Sequence, residues 1–235
     1  MRSAVISPAR RRAFVATLVA ALAGALASEG HAARFPASGL LVVPSAAVRA
    51  APSSEAAVVH ELSDFRPDFR PRVVYATKEA VGPYGSRWLR IALPGRPRGR
   101  AGWIPANAVE VDPVDTRVVI KRGSRRLTVY RDGKRVLQAR VAVGKRGART
   151  PLGRFYVTAR FRPSNPFLGV FALETSAYSK LSDWPGGGIV GIHGTSRPDL
   201  LGDAVSHGCV RVHNKIAHKL RRLVQVGATV DVRRG

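Results

Sequence analysis

From about residue 34 the chain alternates short apolar runs with Gly- and Pro-rich punctuation. The runs Leu40-Leu41-Val42-Val43, Val58-Val59, Val73-Val74-Tyr75, Trp88-Leu89-Arg90-Ile91-Ala92-Leu93 and Gly102-Trp103-Ile104 predict short strands of a small barrel or sandwich. Asp64-Phe-Arg-Pro repeats at once as Asp68-Phe-Arg-Pro71. Each proline removes a backbone donor and biases its predecessor away from helix, so this stretch reads as an extended loop. Asp112-Pro113-Val114-Asp115 reads as a linker into a second β-rich segment.

In that segment, residues 117–121 and 126–131 bracket Arg122-Gly123-Ser124, the pattern of a hairpin. Asp132-Gly133 predicts a two-residue turn into a third strand, residues 134–143. There Leu137, Ala139, Val141 and Val143 alternate with Gln138, Arg140 and Ala142, giving one buried and one wet face. Residues 162–188 show little periodicity and carry Tyr178, Trp184 and three consecutive glycines, which suggests an irregular lid. Ile189-Val190-Gly191-Ile192 reads as a buried strand that delivers His193. Asn214 is placed to cap a helix with Ile216, Leu220, Leu223 and Val224 on one face, which Gly227 stops; residues 229–232 form a closing strand.

The N-terminus differs from all of this. Basic residues at Arg2 and Arg10-Arg11-Arg12 precede the uncharged stretch 13–27, the layout of an export signal over residues 1–33. Cleavage after Ala27 is the first choice, cleavage after Ala32 the second, and retention as a membrane anchor the alternative. The protein is therefore expected in the periplasm or cell wall. The organisation is a signal (1–33), a first β domain (34–112) and a second (113–235).

The formal net charge is +24 over 235 residues. Such a balance favours anionic partners, including anionic cell-wall polymers, and an Arg-rich solvated surface is the plainer explanation. No recognition helix, zinc finger or RNA-binding signature accompanies the charge, so a nucleic-acid partner is not expected.

The chemistry gathers near the C-terminus. The protein has one cysteine, Cys209, within Ser206-His207-Gly208-Cys209-Val210-Arg211, and His193 stands thirteen positions before Ser206. In an oxidising compartment a lone cysteine makes no internal disulfide, so its thiol is either inert or at work. A thiol needs a histidine to take its proton and amides aimed at the oxyanion that forms on the attacked carbonyl. Gly208 permits a tight turn, and the amides of residues 207–209 are the natural oxyanion hole. Spacing leaves the base open: His207 lies two residues from Cys209, whereas His193 would reach it from a neighbouring strand.

His193-Gly194-Thr195 with Ser206-His207-Gly208-Cys209-Val210-Arg211 resembles the signature of the YkuD-type L,D-transpeptidase catalytic domain. Thr150-Pro151-Leu152-Gly153-Arg154-Phe155 and Val226-Gly227-Ala228-Thr229-Val230 match the same family. Trp88-Leu-Arg-Ile with Gly102-Trp103-Ile104-Pro105 resembles a bacterial SH3-like domain. The resemblance implies a mostly β chain: an SH3-like small barrel, then a β-sandwich catalytic domain with one short C-terminal helix. It implies Cys209 as nucleophile, His193 as proton acceptor and donor, the Gly194 carbonyl as third member, and His207 and Gly208 beside the oxyanion. Ser206, Arg211, Tyr178 and Trp184 are the candidate substrate contacts. The implied substrates are peptidoglycan stem peptides, a tetrapeptide donor and a diaminopimelate-type acceptor, joined in a 3–3 crosslink without a metal or other cofactor. Water in place of the acceptor would make an L,D-carboxypeptidase.

Two other readings compete. Cys209, His207, His213 and His218 could ligate zinc, but His213 and His218 are five apart on the predicted helix, a poor fit to one face. A basic exported protein could instead bind wall without turning it over, which would leave the Cys209–His193 pair without a purpose.

Overall fold

The computed structural model describes residues 34–97, 99–181, 183 and 187–235. The export signal at 1–33 and Trp184 lie outside the described residues. The described residues form two large sheets and one of two strands within one compact unit, Ala33–Gly235.

The first sheet contains β1 (Ala37–Leu41), β2 (Ser45–Arg49), β3 (Val58–Ser63), β4 (Val73–Val81), β5 (Arg87–Ala92), β6 (Ala101–Pro105) and β7 (Val109–Pro113), in the order β3-β2-β6-β5-β4-β1-β7. All its pairings are antiparallel. Alternate residues turn inward to a core that includes Val48, Leu62, Leu89, Ile91 and Ile104. The Asp-Phe-Arg-Pro repeat is not extended. Phe65 bridges Pro71, the Arg66 N–H donates to the Arg70 carbonyl, and Phe69 takes φ 60°. The prolines leave these turn donors free, so the repeat closes into a compact turn.

The second sheet contains β8 (Thr116–Lys121), β9 (Arg126–Arg131) and β10 (Lys134–Arg140), followed by the short β11 (Val143–Gly144) outside it. After β11 come β12 (Gly153–Phe161), β13 (Ala172–Tyr178), β14 (Ile189–His193), β15 (Ala204–Ser206) and β16 (Val210–Arg211). Helix α1 (Asn214–Leu223) and β17 (Thr229–Arg233) complete the chain. The order is β10-β9-β8-β17-β12-β13-β14-β16, with β11 and β15 paired separately. Val118, Leu127 and Leu137 from one end share a core with Leu173, Ile192 and Val210 from the other, and with Leu220 of α1. The two expected layers are thus one curled sheet with a helix packed into it.

Three local expectations change. The predicted third strand breaks after Arg140, and Ala142, expected on the wet face, is fully buried because its amide and carbonyl pair with Arg211. The predicted lid contains a regular strand, β13: Leu173, Thr175 and Ala177 point inward while Glu174, Ser176 and Tyr178 point out. Its small and polar inward residues hide the alternation. Finally, His213 caps α1, its Nδ1 accepting from the Lys215 N–H at 3.1 Å, and Asn214 is the first helical residue.

Candidate active site

Strand β14 builds the site. Val190 and Ile192 face the core, so Ile189, Gly191 and His193 share the opposite face, the face on which β13 presents Glu174, Ser176 and Tyr178. Parallel pairing of Ile192 with Val210 and of His193 with Arg211 brings the cysteine loop alongside. The Gly191 N–H donates to Cys209 Sγ at 3.4 Å, and Sγ lies 4.0 Å from the Ile189 carbonyl. His193 thus ends β14, and Cys209 lies in the loop directly before the adjoining strand β16.

The His193 ring is buried, and its Nδ1–H donates to the Gly194 carbonyl at 2.6 Å. That bond fixes the tautomer and leaves Nε2 as the unprotonated ring nitrogen. Burial, aided by the Arg211 charge, lowers the His193 pKa to about 4 against the opposing pull of the Gly194 and Leu168 carbonyls. Burial also raises the Cys209 thiol, while the Gly191 amide and Arg211 work to lower it. The resting pair is consequently a neutral thiol and a neutral imidazole.

Thiol acylation should be nearly flat from about pH 5 to 8 and fall below pH 5 as His193 protonates, with an inflection near 4. Because the folded-state pKa lies below the unfolded value of 6.5, the neutral ring stabilises the fold above pH 6.5, and this contribution is lost as pH falls through 4. A stopped-flow acylation profile measures the first effect; an inflection between 6 and 7 would contradict it.

Backbone and side-chain bonds hold the cysteine loop from three sides. Gly208 takes φ +129°, and a Cβ there would lie 3.0 Å from Ser179 Cβ, so both conformation and space call for glycine. Ser179 Oγ donates to the His207 carbonyl at 2.9 Å, and Thr150 Oγ1 donates to the Gly208 carbonyl at 2.8 Å. Ser206, expected to touch substrate, is buried; its Oγ donates to the Cys209 carbonyl at 2.5 Å and accepts the Gly208 N–H at 3.1 Å. It braces the loop instead. The Gly208 amide, expected at the oxyanion, is thereby already engaged. His207 lies at the surface side of the loop, half-buried, with its pKa lowered by desolvation and then by Lys145 and Arg211.

Arg211 is buried with its guanidinium 4.6 Å over the Phe167 ring, its Nε has no partner, and it forms no ion pair among the described residues. A buried, unbalanced cation beside the thiol is a ready receiver for a carboxylate. Tyr178 lines a cavity of about 300 Å³ on the same face, together with Tyr156, Glu174, Ile189, Arg66 and Pro94. The Asp-Phe-Arg-Pro turn forms the far wall: Arg66 pairs with Glu174 at 2.5 Å and Arg70 pairs with it at 3.2 Å. Arg96, from the connection between β5 and β6, stacks 5.1 Å over the Tyr178 ring and donates to the Ser179 carbonyl at 2.6 Å and the Gly187 carbonyl at 3.1 Å. Among the described residues no three His, Cys, Asp or Glu side chains converge as metal ligands.

Residues 115–232 match the YkuD family of L,D-transpeptidase catalytic domains. The chain belongs to this family. The Bacillus subtilis protein YkuD, which bears the name of an L,D-transpeptidase, is 32% identical over 149 residues, covering 60% of this chain and 84% of that protein. A second B. subtilis relative so named, YqjB, is 33% identical over 127 residues, 50% of this chain and 71% of its own. Among solved structures, an L,D-transpeptidase from Mycobacterium smegmatis aligns with a TM-score of 0.44 at 16% identity, over 68% of this chain and 99% of that one.

Within this L,D-transpeptidase domain, Asn214, expected as a helix cap, instead holds the turn after His193. Its Oδ1 accepts the Thr195 N–H at 3.2 Å and the Val170 N–H at 3.4 Å. Gly194 and Gly169 pack so close that a Cβ on either would come within 2.3 Å of that oxygen. Asn214 thus holds the turn whose carbonyl orients His193. Asn214→Ala leaves two amides without an acceptor, at about 1–3 kcal/mol of stability, and should slow acylation about tenfold, or about 1.4 kcal/mol in the barrier. Asn214→Asp keeps the acceptor and should retain most of the rate. Thermal melting and acylation rates of both variants check this.

Proposed function

We propose that this L,D-transpeptidase acts through a Cys209 thioester and joins stem peptides of peptidoglycan by 3–3 crosslinks. The observation that carries the reading is the Gly191 N–H on Cys209 Sγ, on the same strand face as a His193 locked by the Gly194 carbonyl.

In the first step His193 Nε2 takes the Cys209 proton as the sulfur attacks the carbonyl of the third residue of a tetrapeptide stem. Backbone amides at the cysteine loop, the Cys209 amide foremost, stabilise the oxyanion. The carbon–nitrogen bond to the terminal D-Ala breaks, and His193 returns its proton to the leaving amine. In the second step the side-chain amine of a diaminopimelate-type residue on another stem attacks the thioester. The carbon–sulfur bond breaks, an amide forms, and the proton released returns to Cys209 through His193.

Arg211 receives a stem carboxylate, and the stem runs along the cavity beside Tyr178. The first sheet, read as SH3-like, keeps the enzyme on the wall, whose anionic polymers suit the basic surface. Export through the N-terminal signal places enzyme and substrate in one compartment.

Mass spectrometry of muropeptides after adding the enzyme to tetrapeptide stems tests this. The expected products are free D-Ala and a 3–3-linked dimer. Tripeptide without dimer would identify water as the acceptor, and unchanged stems with retained binding to sacculi would identify a wall binder.

A further inference from the structure

We propose that an arginine-lined recess behind the cysteine loop binds closely spaced phosphates, as in a diphosphate ester or a phosphodiester polymer. The recess, about 540 Å³ in volume, is lined by Arg122, Arg125, Arg146, Arg149 and Arg234, with Gly123 and Gly144 in its wall. No Asp or Glu lines it. Among the described residues none of these five arginines forms an ion pair, whereas Arg66, Arg70, Arg154, Arg197 and Arg233 all do. The Arg122 guanidinium is held below its ordinary range, first by desolvation and then by the charges of Arg149 and Arg234. An anion in the recess relieves that crowding.

Phosphate suits the recess better than a carboxylate does. One carboxylate balances one guanidinium and leaves four unbalanced. A phosphate monoester carries a charge of about −1.5 to −2, so a terminal diphosphate brings about three negative charges into a small volume, and a phosphodiester polymer brings about one per repeat with several repeats in reach. Their oxygens also match the planar guanidinium fork.

The recess is joined to the catalytic loop through its own wall. Arg122 Nη1 donates to the Thr150 carbonyl at 2.9 Å, and Thr150 Oγ1 accepts the Gly144 N–H at 2.9 Å while donating to the Gly208 carbonyl at 2.8 Å. The Lys145 N–H donates to the Ser206 carbonyl at 2.9 Å. A phosphate-bearing partner held here grips the same backbone that braces Cys209.

Calorimetric titration of the full chain with inorganic pyrophosphate tests the site without any turnover. We expect saturable one-to-one binding that weakens at least about tenfold in Arg125→Gln/Arg146→Gln/Arg149→Gln. A charge-matched control, Arg135→Gln/Arg221→Gln/Arg222→Gln, should change it less than about twofold. The three recess side chains are exposed, so the melting temperature should hold; Arg146→Gln alone, expected to weaken binding about threefold, serves if the triple variant does not fold. Absence of saturable binding, or equal weakening in both triple variants, would overturn the site in favour of diffuse charge. Soluble poly(glycerol phosphate) and phosphatidylglycerol vesicles then distinguish a polymer from a membrane source. Binding of either with the same arginine dependence supports the site, and binding of both without it overturns the proposal.

Discussion

Cys209→Ala should abolish formation of a covalent acyl-enzyme with either a tetrapeptide stem or a carbapenem, a loss of at least about 10⁴-fold. The chain has no second thiol to take over the role. The Ser206 hydroxyl, three residues away, is committed to the Cys209 carbonyl and the Gly208 amide. The fold should survive, because the braces on the cysteine loop come from Ser179, Thr150 and Ser206 and not from the sulfur. A change in stability within about 1 kcal/mol is expected from so small a truncation. Intact-mass measurement and thermal melting read the two effects separately. A Cys209→Ala protein that still acquires the adduct would place the nucleophile elsewhere.

His193→Ala carries the second-largest effect. With a neutral thiol at rest, removal of its proton during attack depends on a base, and a positioned base contributes about 10²–10⁴-fold. We expect the acylation rate to fall by that factor and the acid-side fall with its inflection near 4 to vanish with the imidazole. In its place the rate should climb with pH as hydroxide or bulk thiolate formation takes over, since burial holds the Cys209 thiol above its ordinary range. His207→Ala should produce a smaller change, because Ser179 holds the loop at the His207 carbonyl, which the substitution keeps. Near-normal acylation in His193→Ala with loss in His207→Ala would exchange the roles of the two rings.

The family was readable from sequence because its motifs are local. Ser206-His207-Gly208-Cys209 and His193-Gly194 are short runs whose residue types suit only a few purposes, and the strand carrying His193 has a clear apolar alternation. The helix was readable too, from Ile216, Leu220 and Leu223 on one face. What escaped is of two kinds. Some residues have side chains that serve several roles equally well: Asn214 caps helices by propensity, yet here His213 caps α1 and Asn214 holds the turn after His193. Ser206 reads as a substrate contact and proves to be a buried brace. Other features depend on contacts between residues far apart in the chain. Arg66 meets Glu174 across 108 positions and Arg96 meets Ser179 across 83, and no local pattern announces either. The Asp-Phe-Arg-Pro repeat was visible as a repeat, but its part in walling the cavity beside Tyr178 needed the folded chain.

The most direct test is intact-mass measurement of the reduced full chain during a single turnover with a tetrapeptide stem, followed by peptide mapping. A thioester on Cys209 with the mass of the tripeptide acyl group should appear as free D-Ala is released, and should decay when a diaminopimelate-type amine is added. Crosslinked product formed with no adduct at any time, or an adduct mapping to another residue, would contradict it.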